Sequence, residues 1–86
     1  MGQIRVLVVD DSDLARELII AILSTDKEIT IAGEAKNGRE AVEKVRQLKP
    51  DIVTMDIEMP IMNGLEAIEQ IMATNPVPIL VVTTRG

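Results

Sequence analysis

Short apolar runs alternate with longer stretches in which apolar residues recur at a helical period. The run Ile4–Val9 reads IRVLVV, is rich in β-branched residues and ends at Asp10 and Asp11. Runs that are apolar on both faces are typical of central parallel strands. Three further runs predict strands at residues 29–32, 52–55 and 79–82. The run at 29–32 is only modestly hydrophobic, which favours a strand at an edge of the sheet.

The segment that follows the first strand predicts an amphipathic helix. It starts at Asp13, after a cap that either Asp11 or Ser12 supplies. Arg16 and Glu17 are expected on the solvent side. The residues predicted to face the sheet are Leu14, Leu18, Ala21 and Ile22.

Two more helices are predicted, each with a cap signal at its start. Asn37 is followed by Glu40 and Asn63 by Glu66, the spacing of a capping box. Pro50 ends the second helix. The inward positions are Ala41, Val42, Val45 and Leu48 in the second helix, and Leu65, Ile68, Ile71 and Met72 in the third.

The resulting order is βαβαβαβ, which predicts an α/β fold with a parallel sheet and right-handed crossovers. A chain of 86 residues has room for one small domain. The pattern shows no linker or low-complexity segment. We therefore expect four strands and three helices in one domain.

Composition narrows the function classes. The net charge of −5 argues against nucleic acid or an anionic membrane as the main partner. The chain contains no Cys and no His, which excludes disulfides, thiol or imidazole metal sites and histidine acid–base chemistry. Aromatic residues are absent too. It also shows neither a secretory signal nor a membrane-spanning run, so we expect a soluble, cytoplasmic protein.

Acidic residues end two of the predicted strands. In a parallel α/β sheet, the carboxyl ends of the strands line the ligand crevice. If the strands that precede Asp10–Asp11 and Asp56 are neighbours, three carboxylates converge and repel one another unless a cation binds among them. Oxygen ligands alone favour Mg²⁺, which also accepts phosphate oxygens. Asp56 stands alone at its strand end and is the better nucleophile, and Thr83 is placed to donate a hydrogen bond to a phosphorylated Asp56.

Structural interpretations of the same residues stay open at this point. Asp10, Asp11 and Ser12 could simply cap a helix. Asp56 could be a turn residue, and the side chain of Glu58 a solvated loop carboxylate. A flavodoxin-like nucleotide or flavin binder is disfavoured, because the loop after the first strand lacks a glycine-rich or hydroxyl-rich phosphate cradle.

Three motifs together resemble the receiver domain of two-component response regulators. They are VLVVDDS at 6–12, VTMDIEMPIMNG at 53–64 and PILVVT at 78–83. Their order and spacing match the family across the whole chain. Within the family, residues 55–72 and 76–84 look most like the receivers of chemotaxis protein-glutamate methylesterases.

The resemblance implies a flavodoxin-like fold, of the CheY-like kind, with strand order 2-1-3-4. It implies Asp56 as the phosphorylated residue and Thr83 as the switch hydroxyl. The implied Mg²⁺ ligands are Asp10, Asp11, Asp56 and the backbone carbonyl of Glu58. The implied phosphodonor is a sensor histidine kinase, and no esterase activity, hence no enzyme, is expected of this segment.

The family also carries a fifth strand, with a lysine that contacts the phosphoryl group, and two further helices. The 86 residues are therefore expected to form a partial receiver domain with impaired phosphorylation. A fourth strand with an open apolar edge predicts a homodimer. The alternative is an engineered or reconstructed half-fold fragment that self-assembles and transfers no phosphoryl group.

Overall fold

Four strands and three helices alternate along residues 2–83, the part of the chain that the computed structural model describes. All seven predicted elements are present. Their bounds are β1 Ile4–Val9, α1 Asp13–Leu23, β2 Ile29–Ala35, α2 Gly38–Leu48, β3 Ile52–Met55, α3 Gly64–Thr74 and β4 Ile79–Val81.

The strands form one parallel sheet in the order β2-β1-β3-β4. This confirms the flavodoxin-like, CheY-like order that the resemblance implied. In the pairing of β1 with β3, Val9 lies opposite Met55. The residues that follow these two, Asp10 and Asp56, therefore leave the sheet side by side.

β2 is longer than its apolar run, and the prediction that it ends at residue 32 is wrong. It continues through Gly33 to Ala35 because it pairs with the whole of β1, across a bulge between Val6 and Leu7. A Cβ on Gly33 would stand 2.8 Å from Cδ1 of Leu48. The glycine therefore leaves room for the Leu48 side chain of α2 and does not mark a turn. At the other edge, β4 ends at Val81 instead of residue 82.

The core lies between the sheet and the helices α2 and α3. Leu7, Val9, Val53 and Met55 supply the sheet side, and all are buried. The prediction for α2 is confirmed, since Ala41 and Val45 are buried and Val42 and Leu48 pack against them. In α3 the prediction is partly wrong: Ile71 is buried and Ile68 half-buried, whereas Leu65 and Met72 are exposed. The small residue Ala67 takes the buried position instead.

The predicted orientation of α1 is wrong. Its buried residues are Ala15 and Arg16, and Arg16 is the residue expected outside. Leu14, Leu18 and Ile22 are 65%, 56% and 69% exposed. They line a groove with Val82, and we call these four residues the α1 groove. Ala15 and Arg16 take the covered side of α1, where Glu34, Asp10 and Asp13 accept hydrogen bonds from the guanidinium of Arg16.

Within residues 2–83, every helix is too short or too polar to cross a membrane.

Candidate functional site

Three carboxylates meet where β1 and β3 end. One carboxylate oxygen from each of Asp10, Asp11 and Asp56 lies within 4.8 Å of the other two. Asp10 and Asp56 are buried, and Asp11 is half-buried. The backbone N–H of Asp56 donates to the carbonyl oxygen of Val9 at 3.0 Å, which fixes the two strand ends to each other.

Hydrogen bonds hold Asp10 from three directions. Its N–H donates to the carbonyl oxygen of Ala35 at 3.1 Å, which ties it to the end of β2. Its Oδ1 accepts from the N–H of Ser12 at 2.9 Å. Its carbonyl oxygen accepts from Nη1 of Arg16 at 2.7 Å. Asp10 is thus a fixed member of the cluster.

Ser12 caps α1. Its Oγ accepts from the N–H of Ala15 at 3.1 Å. The capping interpretation of the acidic pair therefore applies to Ser12, and the carboxylates of Asp10 and Asp11 take part in the cluster.

Arg16 is the residue that the sequence pattern missed. Its side chain is 9% exposed, and its Nε donates to Oε1 of Glu34 at 2.9 Å. A second ion pair joins Nη2 to Oδ1 of Asp13. Burial on its own lowers the pKa of the guanidinium, but the hydrogen bonds and the charges of Glu34 and Asp13 together raise this pKa above its usual value. The sequence did contain one signal that Arg16 is special. A positive charge in the first turn of a helix is repelled by the helix dipole, so an arginine is unexpected at this position.

The loop after β3 borders the acidic cluster. A depression of about 380 Å³ lies here. Its lining includes Asp11, Ile57, Glu58 and Asn63. The side chain of Glu58 is exposed, and Met59 is buried and anchors the loop to the core. The loop that borders the cluster is thus packed against the core.

Two glycines hold this loop in place. The N–H of Gly38, at the start of α2, donates to the carbonyl oxygen of Met62 at 2.8 Å. The N–H of Gly64 donates to the carbonyl oxygen of Ile57 at 2.8 Å. Within this loop, Ile61 has φ 71°, a backbone conformation that is unfavourable for a β-branched residue.

The two predicted caps differ in detail. At α3, Asn63 and Glu66 form the complete capping box, with both reciprocal hydrogen bonds. At α2, Asn37 accepts from the N–H of Glu40, but the carboxylate of Glu40 accepts from the N–H of Lys36 instead of Asn37. Both caps start a helix next to the loop that borders the cluster.

Thr83 lies two residues beyond β4, and its side chain is exposed. The N–H of Val82 donates to the carbonyl oxygen of Met55 at 2.9 Å, one residue before Asp56. Thr83 therefore lies at the same end of the sheet as the acidic cluster.

The donor set fits a hard divalent cation. All three side chains offer carboxylate oxygens, and the two buried members are held by strand ends. Mg²⁺ prefers such ligands and keeps open positions for water or phosphate oxygens. The half-buried Asp11 and the neighbouring depression leave a way in from solvent.

Comparison with known sequences and structures assigns the family. The response regulator receiver domain matches residues 6–86. The chain is 51% identical over 81 residues to a protein-glutamate methylesterase/protein-glutamine glutaminase of Bacillus licheniformis, covering 94% of this chain and 23% of that protein. It is 55% identical over 82 residues to a protein of the same description from Paramagnetospirillum magneticum, again covering 23% of the relative. The chain thus spans about a quarter of the length of these relatives.

Solved structures agree. The response regulator domain of Thermotoga maritima CheB superposes with a TM-score of 0.93 at 48% identity, covering 95% of this chain and 61% of that one. A CheX–CheY–beryllofluoride–Mg²⁺ complex from Borrelia burgdorferi gives a TM-score of 0.91 at 31% identity, covering 99% of this chain and 65% of the matched one. The sequence match and the shared fold lead to one conclusion: the chain belongs to the response regulator receiver domain family.

Proposed function

We propose that this chain is the phosphoacceptor module of a two-component chemotaxis pathway and takes a phosphoryl group on Asp56 with the help of Mg²⁺. One observation carries the proposal. Three carboxylates from two neighbouring strand ends lie within 4.8 Å of one another in a domain of the receiver family.

Four groups would hold the ion: the carboxylates of Asp10, Asp11 and Asp56, and the backbone carbonyl of Glu58. When bound, Mg²⁺ offsets the repulsion between these carboxylates and the anionic phosphoryl group. The chain's own part is to hold the acids in place, through the Val9–Asp56 and Ala35–Asp10 backbone hydrogen bonds.

Asp56 is the nucleophile in this proposal. One of its carboxylate oxygens attacks phosphorus, and the P–N bond of a phosphohistidine on the donor kinase breaks as the new O–P bond forms. The electron pair of the broken bond stays on the imidazole nitrogen. With acetyl phosphate as donor, a P–O bond breaks and acetate leaves. Asp10 is the weaker candidate because it forms an adjacent acidic pair with Asp11 at a strand end, and both side chains of such a pair can reach a metal.

The partners follow from this chemistry. The donor is a sensor histidine kinase, which places the module in the cytoplasm. Thr83 acts as the switch hydroxyl that senses the phosphoryl group, supported by its position at the same end of the sheet. The complete methylesterases match this chain over 23% of their length, so any output domain of that kind would lie outside these residues.

In this proposal, residues 1–86 make up a partial receiver domain. In the family, a lysine on a fifth strand contacts the phosphoryl group, and this position has no counterpart among the 86 residues. Loss of one transition-state donor typically slows a reaction by roughly 10²–10³-fold. The 86-residue polypeptide is therefore expected to be phosphorylated slowly when it is studied alone.

A homodimer of this polypeptide is part of the proposal. β4 forms an edge of the sheet within the described residues, and Leu80 on this strand is 54% exposed. The α1 groove adds apolar surface next to this edge. Apolar strand edges pair readily with a second copy of the chain. The purely structural, self-assembling alternative gains no support from the comparisons.

Intact-mass spectrometry after incubation with acetyl phosphate and Mg²⁺ tests the proposal. We expect a gain of one phosphoryl group, even if slowly, and its absence in Asp56→Asn. The matched control is Asp51→Asn, the same substitution at the residue that directly precedes β3. If Asp56→Asn gains the group as the unchanged protein does, Asp56 is not the acceptor.

A further inference from the structure

A buried arginine joins the acidic cluster to β2. Arg16 lies in the first turn of α1, and its guanidinium reaches three oxygens: the carbonyl of Asp10, Oε1 of Glu34 and Oδ1 of Asp13. Its side chain is 9% exposed, whereas those of Glu34 and Asp13 are 49% and 81% exposed. The arginine is thus the buried centre of this small network.

The position is unfavourable for a cation on two counts. Burying a charge is costly unless it is paired and hydrogen-bonded. The N-terminus of a helix also carries a partial positive charge, which repels an arginine in the first turn. A residue needed only to cover the sheet would be apolar here. The guanidinium therefore calls for an explanation in terms of what it holds.

The contact with Asp10 supplies this explanation. The carbonyl of Asp10 and the N–H of Asp11 belong to one planar peptide group. A donor that fixes this carbonyl also fixes the orientation of the peptide and so the directions in which both side chains leave the backbone. The N–H of Asp10 is already held by Ala35. With Arg16 on the carbonyl, the backbone of Asp10 is held on both sides.

We propose that Arg16 is the positioning residue of the acidic site: by holding the Asp10–Asp11 peptide, it sets the affinity of the cluster for Mg²⁺. Glu34 and Asp13 keep the guanidinium in place and neutralise its charge. This inference rests on the proposed function, because its test measures the binding of Mg²⁺ to the acidic cluster. The residue acts through the peptide and does not touch the ion.

The direction of the effect separates positioning from simple electrostatics. Removing a positive charge beside a cation site increases the affinity for cations, because the local potential becomes more negative. Losing the orientation of two ligands decreases this affinity. Residues that orient metal ligands typically change metal affinity by about 10–100-fold when they are replaced. Arg16→Met is therefore predicted to weaken Mg²⁺ binding by at least about 10-fold.

Two further variants complete the design. Arg16→Lys keeps the charge but loses the planar fork that reaches several oxygens at once, so it is expected to bind Mg²⁺ more weakly than the unchanged protein. Arg46→Met removes the same charge from an exposed position in the last turn of α2 and should not weaken binding. The chain has no Trp or Tyr to report by fluorescence, so the titration uses calorimetry with Mg²⁺ alone.

A second readout needs no metal. Hydrogen exchange of the Ser12 amide, which donates to Oδ1 of Asp10, reports on the order of the same turn. In Arg16→Met without Mg²⁺, this amide should exchange faster, while the amide of Val53 in the core should keep its protection relative to global unfolding. If Arg16→Met does not fold, Arg16→Lys carries both measurements.

The results separate the two proposals. If the unchanged protein does not bind Mg²⁺, the proposed function fails, and Ser12 exchange alone decides the role of Arg16. If the unchanged protein binds Mg²⁺ and Arg16→Met binds equally or more tightly, the positioning role is overturned. Equal affinity and equal Ser12 exchange in Arg16→Lys would overturn it as well.

Discussion

Gly64 lies against the backbone of Asp56. A Cβ placed on Gly64 would stand 2.5 Å from the carbonyl oxygen of Asp56 and 2.7 Å from Cα of Ile57. Real Cβ atoms do not come this close to backbone atoms. The first residue of α3 therefore has to be glycine for the helix to start where the acidic strand end turns into its loop.

Gly64→Ala is predicted to displace the backbone that carries Asp56. The expected loss in the free energy of unfolding is about 1–3 kcal/mol, the usual cost of overpacking. Mg²⁺ affinity should fall as well, because Asp56 moves relative to Asp10. Urea denaturation and calorimetric titration measure the two effects. Gly2→Ala is the control, since nothing lies within 4 Å of a Cβ there; equal behaviour of the two variants would contradict the close approach.

The capping box at α3 gives a second prediction. Asn63 accepts from the N–H of Glu66, and Glu66 accepts in return from the N–H of Asn63. Asn63→Ala leaves the N–H of Glu66 without its side-chain acceptor and should cost about 1 kcal/mol of stability. Gln70→Ala, at an exposed position within the same helix, should change the unfolding midpoint little. If Asn63→Ala changes it no more than Gln70→Ala does, the cap does not stabilise the domain.

Two apolar residues of α3 are expected to differ sharply in their contribution to stability. Ile71 is fully buried in the core, whereas Leu65 is 57% exposed. Ile71→Ala should lower the free energy of unfolding by about 2–5 kcal/mol, through lost burial and the cavity left behind. Leu65→Ala should cost much less. Chemical denaturation of both variants checks the difference, and similar losses would mean that α3 packs through a different face.

The sequence carried enough information to predict the position of the acidic cluster. Continuous apolar runs identified β1 and β3, and a parallel sheet brings the ends of neighbouring strands together. The neighbouring order of β1 and β3 came from the family resemblance, not from the pattern. Asp10 and Asp56 meet because Val9 is paired with Met55. The residues of the cluster were therefore predictable.

α1 shows where such reasoning stops. A helical period identifies an apolar face but does not tell which face the rest of the domain covers. Leu18 and Ile22 fit the period and are exposed, while Arg16 is buried because Glu34, Asp13 and the carbonyl of Asp10 surround it. Asp10 and Asp13 lie close to Arg16 in the sequence, but Glu34 lies 18 residues further along the chain. Only the folded arrangement brings Glu34 on β2 close to the start of α1.

The α1 groove gives a prediction about assembly. If two copies associate through this groove and the neighbouring β4 edge, Leu18→Lys should shift the protein towards the monomer in sedimentation equilibrium. The added ammonium would have to be buried in the interface, which is costly. Leu65→Lys, at a similarly exposed leucine of α3, is the matched control. A monodisperse monomer of the unchanged protein at micromolar concentration would contradict the homodimer itself.

The central claim is that Asp56, with Mg²⁺ at the acidic cluster, accepts a phosphoryl group. Beryllofluoride mimics such a group on a carboxylate, so fluorine NMR with beryllofluoride and Mg²⁺ tests the claim most directly. The account predicts a protein-bound fluorine signal that needs Mg²⁺, survives in Asp51→Asn and is lost in Asp56→Asn. A bound signal that persists in Asp56→Asn, or that forms equally well without Mg²⁺, would contradict it.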